Sequence, residues 1–166
     1  MSNSKDQKLT PKAYLNTLAF IHGALLVGIL LFTVYIYATS EGFSVGFPKD
    51  NNVFVYLVPT IAVLSYFISN YLFYKQLKEI AKLNSLKGKL ILYLKACIVR
   101  FAFLEGAAIF SVIAYRLNNN IFYLVISLLL ILYLFKLRPS KNQVISDLGL
   151  NLEDQQDFQK NNREIN

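Results

Sequence analysis

The chain has 166 residues, of which 55% are hydrophobic and 16% charged, with a formal net charge of +7 and one cysteine; its mean hydropathy is +0.41. That balance lies well to the apolar side of a soluble domain and assigns the bulk of the chain to lipid. The positive charge does not indicate nucleic acid, because the lysines cluster beside hydrophobic stretches and no separate soluble domain remains to carry a basic face. A single cysteine excludes an intrachain disulfide framework and a Cys-based metal site.

The first twelve residues are polar, and the apolar run 13–38 that follows is too long for a signal-peptide core and lacks a clear cleavage site, so it is expected to stay as an anchor. It carries His22, the only histidine. The connection 39–52 contains Gly42, Gly46, Pro48 and an Asp50-Asn51-Asn52 run, and reads as an irregular outer loop with aromatic residues resting on headgroups. Its GxxxG spacing lies outside any span and is no evidence of helix dimerisation. A second apolar run, 53–74, continues into a basic stretch, 75–83, that reads as a cytoplasmic continuation of the same helix, before a turn around 84–88. The third run, 90–115, holds Cys97, read as a packing thiol, together with Arg100 and Glu105. The fourth, 121–137, is near the short limit for crossing a core of about 30 Å.

The expected fold is therefore all-α: a polytopic four-helix bundle, residues 1–138, with spans at about 13–38, 53–74, 90–115 and 121–137, and a cytoplasmic tail, 139–166. In that tail Ser140 and Gln143 fit a capping box, Val144, Ile145 and Leu148 give a short apolar face, and Gly149 can end the turn. Asn151 and Asp154 then fit the start of a second short helix carrying Leu152 and Phe158, and 160–166 is polar enough to fray. The tail is expected to pack on its own bundle or on the membrane surface, with a docking peptide for a cytoplasmic partner as the alternative.

Lys5, Lys8 and Lys12, Lys75, Lys78, Lys82, Lys87 and Lys89, and Lys136, Arg138 and Lys141 lie at one end of the spans, against Lys49 and Arg116 at the other. That asymmetry predicts cytoplasmic N- and C-termini in an inner membrane. Tyrosines near both interfaces, including Tyr14, Tyr93 and Tyr133 inside and Tyr37, Tyr115 and Tyr123 outside, are expected to form the belts, as the chain has no tryptophan.

Two registers suggest an internal duplication. One sets Leu26 on Leu104, Gly28 on Gly106, Phe32 on Phe110 and Tyr37 on Tyr115; the other sets Asn52 on Asn119, Tyr56 on Tyr123 and Tyr66 on Tyr133. Two tandem hairpins starting on the same side would form a parallel repeat about an axis along the membrane normal. Arg100 then takes the place of His22, while Glu105 takes that of Val27.

Charges inside a span cost roughly 2.5 to 3.5 kcal/mol each at its centre, so such residues face protein or water and find partners. Helical rise puts His22, Arg100, Ser65 and Ser127 at one depth, roughly 14 to 15 Å from the basic end, as a candidate polar layer, with Glu105 higher. Arg100 shares a face with Ala96, Phe103, Ala107, Ser111 and Ala114, a stripe of mostly small residues suited to close helix contact. Glu105 lies about 140° round the same helix and is misplaced for an intrahelical ion pair. It must meet another helix, another subunit or a headgroup, or keep its proton.

The stretch Ile80-Ala81-Lys82, Lys87-Gly88-Lys89 and 102–110 (Ala-Phe-Leu-Glu-Gly-Ala-Ala-Ile-Phe) resembles the second half of a rotary ATPase c subunit (proteolipid) hairpin. The resemblance implies Glu105 as an ion-carrying carboxyl. It covers about 35 residues, and where that family has a Gly-rich partner helix this chain has no glycine in 53–74 but Tyr66, Phe67, Tyr71 and Phe73. As a whole, with a tail opening on Pro139-Ser140-Lys141, the chain is similar to uncharacterised small four-span bacterial membrane proteins, which implies no activity.

No HExxH, GxGxxG, P-loop or Ser/His/Asp set is present, so no catalytic residue, cofactor or metal is expected. The leading expectation is a noncatalytic scaffold or accessory subunit in which Arg100 and Glu105 fix packing. The alternative is proton or ion translocation using Glu105, with lipid or small-molecule binding as a third class. The partners to look for are the bilayer, a second copy or another membrane protein, and a cytoplasmic protein for the tail.

Overall fold

The computed structural model describes residues 10–48 and 52–159. Lys5, Lys8, Lys49, Asp50, Asn51 and the stretch 160–166 lie outside the described residues. The described chain is all-helical: α1 (Pro11–Ala38), α2 (Phe54–Ile80), α3 (Leu86–Asn118), α4 (Ile121–Lys136), α5 (Lys141–Leu148) and α6 (Leu152–Gln159).

Local chemistry sets the helix ends. Thr10 caps α1, its Oγ1 accepting from the Ala13 N–H at 3.2 Å, and Pro11 fits the first turn, where no N–H is needed. Ser85 caps α3, and Asn119, at φ 48°, ends it in the left-handed conformation that Asn tolerates. Asn52 and Asn120 play one role twice: each Oδ1 accepts from the N–H two residues on, that of Phe54 and of Phe122. In the tail the expected caps form, with Ser140 Oγ accepting from Gln143, Gly149 at φ 54° closing α5, and Asn151 Oδ1 accepting from Asp154.

Three helices, α1, α2 and α3, are long and apolar enough to cross a membrane. The fourth is apolar but only 16 residues long, and the chain then bends by 83° into α5. The second and third helices extend beyond the expected spans, to Ile80 and back to Leu86, because a turn of only five residues joins them.

The helix α3 lies at the centre, packed against α1, α2 and α4. Half of its most apolar stretch is buried, against 22% for α1 and for α2, which turn most of their side chains outward. Among the described residues α1 and α2 scarcely touch, whereas α3 and α4 pack along their lengths. The successive helix pairs α1–α2 and α3–α4 therefore differ in packing. The first register nevertheless pairs like environments: Leu26 and Leu104 are buried, Gly28 and Gly106 exposed, and the buried hydroxyls of Thr33 and Ser111 each donate to the carbonyl four residues back. The ring of Tyr37 stacks on that of Tyr115, with centroids 6.4 Å apart. In the second, the Asn caps match one residue out of the register that aligns Tyr56 with Tyr123.

Two expectations about surface residues change. Phe103, read onto the packing stripe, is 40% exposed, while Phe101 and Leu104 are enclosed, because a central helix buries a wider arc than one stripe. Tyr115 and Tyr123 lie in the core at the loop end, and Tyr14 and Tyr93 in the core at the other, so these four are packing residues rather than interfacial ones.

At the basic end the tail packs back on the bundle. Val144, Leu148, Leu150 and Phe158 are buried in one cluster with Tyr14, Ile80, Leu86 and Leu90. Tyr93 donates its hydroxyl to Asp147 Oδ2 at 2.7 Å, and Lys89 pairs with Asp154 at 3.2 Å. At the other end the first loop is stitched to the α3–α4 turn, the Ser44 N–H donating to the Asn119 carbonyl and the Ile121 N–H to that of Ser44. The Asn52 side chain also donates to Asn118.

Candidate functional site

Two enclosed polar residues, Arg100 and His22, meet the last turn of α4. Arg100 of α3 is only 8% exposed. Its Nη2 donates to Asn70 Oδ1 of α2 at 2.6 Å and to the Tyr133 hydroxyl of α4 at 3.3 Å, and that hydroxyl donates to the same Asn70 oxygen at 3.2 Å. The guanidinium carbon stands 4.5 Å from the centroid of the Phe73 ring, a cation–π contact. One cation thus ties three helices through neutral groups. Its Nε is enclosed without a hydrogen-bond partner, and among the described residues no carboxylate pairs with it.

His22 of α1 reaches the same turn of α4 from another side. It is buried, and its Nε2 lies 2.9 Å from the Leu134 carbonyl; a carbonyl only accepts, so this nitrogen carries the proton. Leu134 lies in the last turn of α4, where its carbonyl accepts from the Leu137 N–H at 3.0 Å while the Arg138 N–H goes to Phe135. His22 therefore supplements the helix end, while its ring meets the edge of Phe101 at 5.0 Å.

Lysines locate this tier along the helices. Lys75, Lys95 and Lys136 are exposed and lie beyond Asn70, Arg100 and Tyr133 towards the basic end. The separations of five, five and three residues amount to about 5 to 8 Å of helical rise. Lys95 falls inside the run read as the third span, so the uncharged part of α3 runs from Ala96 to Tyr115 apart from Arg100 and Glu105. Arg100 is therefore near one end of that stretch and Glu105 near its middle.

The expected layer is brought together only in part. His22 and Arg100 both hold the end of α4. Ser65 is half-buried and joins neither, and Ser127 is fully buried with its hydroxyl unpartnered. Glu105 is half-buried and forms no hydrogen bond or ion pair among the described residues. No hydrogen-bonded chain among the described residues links it to His22 or Arg100, and the buried hydroxyls of Thr33 and Ser111 are spent on their own helices. Sequence reading passed over Asn70 and the role of Tyr133. The available signal was that Asn70 is the only amide in 53–74, where a polar group needs a partner.

The described residues contain no cluster of His, Cys, Asp and Glu able to hold a metal ion, and Cys97 is a buried free thiol. Comparison of the chain with family models, with curated proteins and with solved structures returned no match.

Proposed function

We propose that this protein is a noncatalytic integral membrane scaffold or accessory subunit of an inner membrane, crossing it four times as two tandem hairpins with both termini in the cytoplasm. The observation that carries the reading is the division of labour on α3. Arg100 is enclosed and bonds inside the chain to α2 and α4, while Glu105 is left half-buried without a partner among the described residues. An internal lock and an unspent charge in one span suit a subunit that holds its own shape and offers Glu105 to a neighbouring membrane protein or a second copy. The docked tail supports the same reading, since it covers the basic end of the bundle.

A photo-crosslinking residue placed at position 105 should give a protein adduct of discrete mass in native membranes. Adducts with lipid alone at that position would overturn the assignment. Ion translocation through Glu105 is the second reading, favoured by that same accessible carboxyl; sealed vesicles carrying the purified protein are expected to show no Glu105-dependent proton flux.

A further inference from the structure

Between α2 and α4 the surface opens into an apolar groove of about 390 Å³, lined by Pro59, Ala62 and Tyr66 on one side and Ile126, Leu129 and Tyr133 on the other. Its lining is almost wholly carbon until it reaches the basic end, where Tyr133 belongs both to the groove and to the Arg100 tier. The Tyr66 ring packs on that of Tyr133, with centroids 5.0 Å apart, and closes this end. The line of groove residues on α4, at spacings of three and four, continues from Tyr133 to exposed Lys136; on α2 it continues from Tyr66 to Asn70. The groove thus ends at Tyr133, which bonds the enclosed Arg100, with exposed Lys136 about one turn further along α4.

We propose that this groove is a binding site for an anionic phospholipid, with one acyl chain lying between α2 and α4 and the phosphate held at the Arg100–Lys136 end. Three observations select this occupant. Arg100 is more than nine-tenths buried, has no carboxylate partner among the described residues and keeps its Nε unpartnered, so the site carries an uncompensated positive charge. The groove offers carbon along its length and polar groups at one end only, which matches an acyl chain with a headgroup. The lysines at positions 75, 95 and 136 place that end within a turn or two of the first exposed cations, the depth at which a headgroup sits. Tyr133 is the joint, its ring lining the groove and its hydroxyl bonded to Arg100 and Asn70 behind it. The proposal rests on the membrane reading above but not on Glu105 or on any protein partner.

Native mass spectrometry of the detergent-solubilised protein with phosphatidylglycerol and phosphatidylcholine of equal chain length tests it. The wild type should retain phosphatidylglycerol over phosphatidylcholine by about fivefold or more, the worth of one interfacial cation. Arg100→Gln should abolish the preference, and Ala62→Trp, which fills the groove on the outer surface and leaves Arg100 in place, should lose the bound lipid even if Arg100→Gln fails to fold. Equal retention of both lipids by the wild type, or selectivity unchanged in Ala62→Trp, would overturn the site. So would a lipid-free dimer that Ala62→Trp dissociates, which would assign the groove to a second copy. Failure of the membrane reading itself would look different, as a protein soluble without detergent that retains neither lipid.

Discussion

Arg100 and Glu105 stand five residues apart on one helix, and the bundle treats them in opposite ways. The basic residue is held by Asn70, Tyr133 and Phe73, while the acidic one is half-buried with no partner among the described residues. Helical geometry explains why they ignore each other, since a separation of five turns the second about 140° from the first. Depth adds to this: near the end of the stretch Asn70 and Tyr133, from α2 and α4, converge on the cation, whereas near its middle no described side chain bonds Glu105. The lesson is that a charge in a span need not find its opposite. It needs hydrogen bonds, and a charge left without them marks where the chain meets something else.

The sharpest way to break this contrast is at the neutral partner. Asn70→Leu should destabilise the protein by about 3 kcal/mol, because it strips the buried guanidinium of its closest acceptor, and thermal unfolding in lipid would show it. Phe158→Ala in the tail should cost about as much locally, but as undocking. Limited proteolysis should then cut within 139–159 while the bundle stays intact. His22→Leu removes the donor to Leu134 and should cost about 1 kcal/mol, read by the same unfolding assay. Smallest of all, Glu105→Gln should change the stability of the isolated chain by less than about 0.5 kcal/mol, since no internal bond is lost. A large effect there would reveal an intramolecular partner and erase the contrast.

Much of the framework was legible in the sequence because it depends on neighbours in the chain. Ser140 with Gln143, Gly149, and Asn151 with Asp154 mark their helix ends as expected, and the 3.6-residue period turned Arg100 inward. What depends on which helices become neighbours was not legible. Nothing local to Tyr133 or Asn70 announces that they face Arg100, nor that His22 caps the last turn of α4. Tyr115 and Tyr123 have belt-like positions in the sequence yet are buried, because Val58, Phe54, Phe32 and Ile36 from α2 and α1 pack into their cluster. Lys95 was the overlooked marker: read as a boundary, it moves Arg100 from the middle of a span to its end and leaves Glu105 at the centre.

The central claim is that Arg100 is held by neutral groups of its own chain and not by Glu105. Two double-mutant cycles on the monomer in lipid, Arg100→Leu with Asn70→Leu and Arg100→Leu with Glu105→Gln, test it directly through their unfolding free energies. The account predicts a coupling above about 1 kcal/mol in the first cycle and additivity within about 0.5 kcal/mol in the second. Additivity between Arg100 and Asn70, or strong coupling between Arg100 and Glu105, would contradict it.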